Sequence, residues 1–246
     1  MFVGGVSFGF AGFAFAVFAT ASLSLASPPQ VAIPAVMLVA DTLALPALWL
    51  HRAHLGPVRK RKVPPFTPAS LALFVVGVVS GALLLGRVPA NAGRLTLALV
   101  ILAFVAFQVR RAFTVPTPAP PTRWWRGPAA AGFGGGLVDG WLGTGGVVIA
   151  MFLATRRLPP ESFVAAIVAY FLATDVMRAV AYGVLGYWAA DVLTLYLRTV
   201  PVALAGYLLG MALRWVLASD RVFRAVVLVL LTAYALALTA RAALGR

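Results

Sequence analysis

The sequence predicts an all-α, polytopic helical membrane protein with about eight membrane segments. Hydrophobic residues make up 62% of the 246 positions and charged residues only 11%, whereas soluble domains carry about 25% charged residues. The apolar residues also fall into runs near the length that spans about 30 Å of hydrocarbon. Short charged or proline-rich stretches separate these runs, which is the pattern of a chain that crosses a membrane repeatedly.

Eight apolar segments follow one another along the chain. Their approximate limits are 3–26, 31–50, 68–86, 95–109, 128–155, 160–188, 192–216 and 222–241. Pro28-Pro29 and Pro159-Pro160 open the second and sixth segments, because proline suits the first turn of a helix. Asn91 and Asp220 are predicted to cap the fourth and eighth segments.

A ladder of glycines occurs twice and indicates an internal duplication. The separation between the copies is 131 residues for the pairs Gly5/Gly136, Gly9/Gly140 and Gly12/Gly143. We therefore expect a first transmembrane repeat at 1–113, a Pro-rich linker at 114–127 and a second repeat at 128–246. If all eight segments span, the repeats are parallel. If the Gly-rich first segment of each half is broken and re-entrant, the repeats are inverted, and the sequence leaves both arrangements open.

The net charge of +14 arises mainly from basic residues between the apolar runs. This placement favours a role in topology and contact with the lipid bilayer, and we expect no nucleic-acid partner. In an eight-span arrangement, the loop 51–62 and the linker lie on one side together with both termini, and that side is predicted to be cytoplasmic. Cysteine is absent and the two histidines, His51 and His54, lie in a charged loop, so we expect no metal and no cofactor. A homodimer stays open.

Four ionisable residues inside the apolar segments are candidates for function, because charges in a membrane interior are costly. Asp41 lies in the second segment, Asp139 in the second ladder, and Asp175 and Arg178 in the sixth segment. The last two are three residues apart and so share a helical face. They could form a purely structural salt bridge. Alternatively, Arg178 could attract an anion while one of the three carboxylates carries a coupling proton.

The second ladder holds more glycine than helix packing requires. Small residues four apart allow close helix approach, and we assign Gly77/Gly81 and Gly206/Gly210 to packing. A broken helix instead exposes backbone N–H groups and a positive N-terminus that can hold an anion. The hydroxyls of Ser7, Thr144 and Thr174 could add donors, although Ser and Thr in membrane segments often bond their own backbone. The predicted substrate-binding residues are Ser7, Gly12, Gly143, Thr144, Gly145, Gly146 and Arg178.

The segment from Gly136 to Gly146, G-L-V-D-G-W-L-G-T-G-G, resembles the G-x-x-S-G-x-x-G-x-G-G signature of the sulfite exporter TauE/SafE family. The two halves, the central loop and the length are also similar to that family. The resemblance implies a multi-pass protein of the bacterial inner membrane that exports small sulfur-containing anions such as sulfite or sulfoacetate. Asp139 departs from the family pattern, which has a small polar residue there, as do Ala14 and Phe15 in the first ladder, where glycines are usual.

These observations predict a secondary transporter that exports a small anion, such as sulfite or an organosulfonate, by alternating access and with proton coupling as an option. The alternative is an uncoupled, channel-like anion pore, which needs the same polar midplane but no titrating carboxylate. An enzyme is not expected, because the sequence shows no nucleophile or metal constellation. The remaining alternative is a scaffold without transport activity. Reconstitution of the protein by itself in liposomes would distinguish it, because a scaffold would show no flux of any anion.

Overall fold

The computed structural model describes residues 1–11, 15–51, 68–113, 128–154, 160–216 and 220–244. Within these ranges all regular structure is helical, as the composition predicts. The helices are α1 (Phe2–Ala11), α2 (Phe15–Ser24), α3 (Pro29–His51), α4 (Pro68–Arg87), α5 (Ala90–Phe113), α6 (Pro128–Leu142), α7 (Gly146–Ala154), α8 (Pro160–Val184), α9 (Ala190–Val216) and α10 (Asp220–Ala243).

Prolines set two helix starts as predicted, and one predicted cap is wrong. Helix α3 begins at Pro29 and α8 at Pro160. Helix α5 begins at Ala90, before the predicted cap Asn91. The Asn91 side chain accepts a hydrogen bond from Arg94 Nη1 at 2.8 Å and therefore serves a side-chain contact within the first turn.

The Gly-rich first segment forms a helical hairpin. A Cβ placed on Gly4 in α1 would lie 3.1 Å from Cδ2 of Phe15 and 3.4 Å from Cβ of Phe18 in α2. In one continuous helix Gly4 and Phe18 would be about 21 Å apart, at 1.5 Å per residue. Helix α2 therefore folds back along α1.

The second Gly-rich segment folds in the same way. A Cβ on Gly135 in α6 would lie 3.1 Å from Cδ1 of Ile149 in α7. Gly143 sits at the break with φ +65°, a left-handed conformation that glycine adopts without a steric penalty. Both ladders thus lie in hairpins. This is the feature that the alternative with broken, re-entrant first segments requires.

Each hairpin packs closely against a helix from the other part of the chain. Added Cβ atoms at Gly5 and Gly9 of α1 would collide with backbone carbonyl oxygens of α9, and those at Gly206 and Gly210 of α9 would collide with carbonyl oxygens of α1. The same relation holds between α4 and α6 through four glycines: Gly77, Gly81, Gly136 and Gly140. The assignment of Gly77/Gly81 and Gly206/Gly210 to helix packing is confirmed, because a side chain at these positions would collide with the facing backbone.

Two arginines hold the C-terminal end of α2. Arg94 Nε donates to the carbonyl oxygen of Ser24 at 3.0 Å, and Arg241 donates to the carbonyl oxygen of Leu25. Carbonyl groups at a helix C-terminus have no intrahelical donor and attract cations. This pair fixes the first hairpin against α5 and α10.

Helices α3 and α8 lie at the centre of the molecule. Both contribute buried residues to the apolar clusters, and Ala165, Ala166, Ile167 and Val168 of α8 are completely buried. In the described part of the chain, five helices are long and apolar enough to cross a membrane: α3, α4, α5, α8 and α9. The protein is therefore an all-helical membrane protein, while the count of eight spanning segments stays a prediction.

Candidate functional site

The break between α6 and α7 brings backbone and side-chain donors to one place. The N–H of Gly145 donates to Asp139 Oδ1 at 3.1 Å, and the N–H of Gly143 donates to the carbonyl oxygen of Asp139 at 2.9 Å. Thr144 is 1% exposed, and its Oγ1 has no partner among the described residues. The break thus presents a buried hydroxyl and the N-terminal end of α7 to the interior.

Arg178 of α8 forms two buried ion pairs. Its Nη1 lies 2.8 Å from Oδ1 of Asp139, and its Nη2 lies 2.5 Å from Oδ1 of Asp175. All three side chains are buried, at 4–5% exposure. The predicted pairing of Asp175 and Arg178 on one helical face is confirmed, and α6 adds a second carboxylate to the same guanidinium.

Asp41 of α3 completes the charged cluster. Its carboxyl group lies near those of Asp175 and Asp139 and near the guanidinium of Arg178. Asp41 Oδ1 has no hydrogen-bond partner in the described ranges. Asp41 therefore adds a third carboxyl group to the cluster around Arg178.

Two tyrosines that the sequence analysis did not select border this cluster. The hydroxyl of Tyr182, which is completely buried, donates to the carbonyl oxygen of Gly140 at 2.9 Å. This bond ties α8 to α6 just before the break. Tyr170 is also buried, and no described residue is paired with its hydroxyl. Tyr182 follows Arg178 by four residues, a spacing that places both on one helical face and could have identified it.

The cluster forms one wall of a cavity of about 40 Å³, roughly three times the volume that one buried water needs. Asp139, Asp175 and Arg178 line its polar side together with the break between α6 and α7. The rest of the lining is mainly apolar and includes these aromatic residues: Phe8, Phe15, Phe104 and Phe171. Such a cavity can hold a small polar ligand, with its charged part directed at Arg178.

The structure brings most of the predicted site residues together. Those that line the cavity are Gly143, Thr144, Gly146, Asp139, Asp175 and Arg178. The N–H of Gly145 donates to Asp139, and Asp41 faces the same charged cluster. Ser7 is buried in α1 and is not a lining residue, because α1 directs that part of its surface elsewhere.

The prediction for Gly12 is untested, and the hydroxyl of Thr174 has a partner within its own helix. Gly12 lies outside the described residues. The hydroxyl of Thr174 donates to the carbonyl oxygen of Tyr170 at 2.9 Å, as Thr side chains inside helices commonly do. Among the residues that the structure describes, no group of three or more His, Cys, Asp or Glu side chains is placed to hold a metal ion.

Comparison with known proteins identifies a family. The sequence model of the family described as Sulfite exporter TauE/SafE matches residues 1–238. Searches of curated proteins and of solved structures returned no match. The resemblance carried by the second ladder is thereby confirmed over nearly the whole chain.

Proposed function

Because the chain belongs to the TauE/SafE sulfite exporter family, we propose that it is a secondary transporter that exports a small anion such as sulfite or an organosulfonate. The family and the apolar helices together make it a multi-pass membrane transporter. The proposal places it in the inner membrane of a bacterium. It assigns the substrate to the cavity beside the break between α6 and α7.

One observation carries this assignment: a broken helix, a buried arginine and an unpaired hydroxyl meet at the same cavity. Arg178 lines the cavity, and its Nε has no partner among the described residues. Thr144 Oγ1 is equally unpaired. Buried donors without partners are rare, since each costs about 1–3 kcal/mol. Donors of this kind suit a ligand that supplies the acceptor oxygens, which a sulfite or sulfonate group does.

We further propose that the two halves are inverted repeats. If each hairpin enters the membrane and returns to the same side, each half crosses the membrane three times, and an odd number inverts the second half relative to the first. The reciprocal glycine contacts between α1 and α9 and between α4 and α6 support this arrangement. So does the cavity, because residues from both hairpins line it.

The distribution of positive charge supports the same topology. With two hairpins, fourteen of the 20 Lys and Arg residues would lie at one membrane face: Arg52, Arg59, Lys60, Arg61, Lys62, Arg110, Arg111, Arg123, Arg126, Arg156, Arg157, Arg214, Arg221 and Arg224. Five would lie nearer the other face: Arg87, Arg94, Arg198, Arg241 and Arg246. The richer face is cytoplasmic by the positive-inside rule. Both termini then lie outside, in contrast to the eight-span expectation.

Alternating access follows from this symmetry. Two hairpins that enter from opposite faces and meet at one cavity can exchange roles when one half moves against the other. The buried carboxylates of Asp41, Asp139 and Asp175 favour coupling to protons over an uncoupled pore, because a pore that only conducts anions gains nothing from negative charge beside its site.

Flux of sulfite and of methanesulfonate from proteoliposomes tests the proposal. Wild-type protein should release both anions, and Arg178→Ala should abolish the release, whereas the control Arg198→Ala, at an exposed position of α9, should retain it. Removing one partner of a buried ion pair costs about 3–5 kcal/mol, so Arg178→Lys serves as a second variant. It keeps the charge but lacks the two-pronged geometry. It should therefore fold, but it should transport the anions poorly. No flux of either anion by folded wild-type protein would refute the proposed function.

A further inference from the structure

Two further donors beside the proposed substrate site are engaged by a carboxylate of the chain itself. Asp139 Oδ1 accepts from Arg178 Nη1 at 2.8 Å and from the N–H of Gly145 at 3.1 Å. A guanidinium and a backbone N–H at a helix N-terminus are the two groups that bind anions best. Asp139 thus occupies the position of a tethered anion at the wall of the cavity.

The charges around Arg178 can be counted from the elements packed against it. Asp139 faces it from α6, Asp41 from α3, and Asp175 and the phenol of Tyr182 from its own helix. In the described ranges, α4 and α7, which also pack against α8, bring no acidic or basic side chain to the cluster. Asp139 and Asp175 both form ion pairs with Arg178, so the ion-paired group holds two negative charges and one positive charge, a net charge of −1.

If an anion bound without a proton, the net charge of this buried group would change from −1 to −2. Unpaired charge in a membrane interior is expensive. A proton on Asp139 would restore the net charge to −1. It would also release Arg178 Nη1 and the N–H of Gly145, which join the unpaired Arg178 Nε and Thr144 Oγ1 as donors.

We propose, on the basis of the proposed function, that the substrate anion replaces the Asp139 carboxylate at Arg178 and that Asp139 takes up one proton for each monovalent anion bound. The proton goes to a carboxylate oxygen of Asp139, and no covalent bond of the substrate changes. Anion and proton then move in the same direction, and the loaded site carries the same charge as the empty one. Export is driven by the outward gradient of the anion, and acid outside opposes it.

Calorimetry of methanesulfonate binding to the full-length protein measures this linkage. Methanesulfonate stays a monoanion across neutral pH, so any proton uptake belongs to the protein. Titrations in two buffers with different ionisation enthalpies should report uptake of one proton per anion. The affinity for methanesulfonate should fall about tenfold for each unit by which the pH rises, hence about 100-fold from about pH 6 to about pH 8.

Two variants separate the role of Asp139 from general effects of charge. Asp139→Asn should bind methanesulfonate without proton uptake and with an affinity that does not change with pH. The control Asp191→Asn removes an exposed carboxylate at the start of α9 and should keep the wild-type proton uptake.

The wild-type measurement is decisive even if a variant fails to fold. Binding with no proton uptake, or with proton release, would overturn this inference and leave the proposed function standing. No binding of methanesulfonate at any pH would overturn the sulfonate site itself, and the inference with it. An Asp139→Asn variant that still takes up one proton would assign the proton to another group and refute the role given to Asp139.

Discussion

The close contact between α4 and α6 makes a prediction that needs no knowledge of the substrate. Gly134 and Gly136 lie two residues apart on α6 and have different surroundings. A Cβ on Gly136 would lie 3.0 Å from the backbone nitrogen of Val78 and closer still to the carbonyl oxygen of Phe74. A Cβ on Gly134 would meet nothing within 4 Å. Gly136→Ala and Gly134→Ala therefore form a matched pair.

The expected magnitudes follow from these distances. Ordinary contact between a carbon and a carbonyl oxygen is about 3.3–3.6 Å, so α4 and α6 must separate by roughly 1 Å to accept a methyl group at Gly136. Overpacking of this kind costs about 1–3 kcal/mol. Alanine at Gly134 instead gains up to about 1 kcal/mol of helix propensity. The two variants should thus differ by about 1–4 kcal/mol with opposite signs relative to wild type.

Thermal unfolding of the purified protein in detergent checks this pair. For a chain of about 150–250 residues, 1 kcal/mol corresponds to about 2–4 °C. Gly136→Ala should lower Tm by about 2–12 °C, and Gly134→Ala should leave it unchanged or raise it by up to about 4 °C. Equal Tm values for the two variants would refute the backbone contact between α4 and α6, and with it the seating of the second hairpin.

Three further outcomes are expected. In cells, a membrane-impermeant thiol reagent should label Val184→Cys but not Arg59→Cys, since the proposed topology with two re-entrant hairpins places the end of α8 outside and the basic loop inside. Labelling of neither variant would instead favour eight spans. The chain has no native cysteine that would react. Tyr182→Phe should lower Tm by about 2–4 °C, because it loses one buried hydrogen bond worth about 1 kcal/mol; an unchanged Tm would contradict the bond to Gly140. Thr144→Val should weaken methanesulfonate binding about tenfold, measured by calorimetry, at an unchanged Tm; undiminished affinity would remove Thr144 from the site.

The sequence predicted the local features of the site better than its assembly. Asp175 and Arg178 pair as expected, because residues three apart on a helix are neighbours whatever surrounds them. The glycines at Gly143 and Gly145 mark the break correctly, since both the positive φ and the close approach to Asp139 require glycine. The role of Ser7 stays a prediction: it is buried in α1 and does not line the cavity, and the spacing of a motif does not state which way its helix faces.

Composition and local spacing determine that this chain is helical, apolar and interrupted at two Gly-rich segments. They also locate the starts of α3 and α8 and every acidic residue of the charged cluster. Only the tertiary structure decides that the interrupted segments fold back, because glycine permits a straight helix, a break or a hairpin equally. It alone brings Asp139 and Asp41 to Arg178, from positions 39 and 137 residues away along the chain. Contacts over such distances depend on how whole helices pack, and no local pattern encodes that packing.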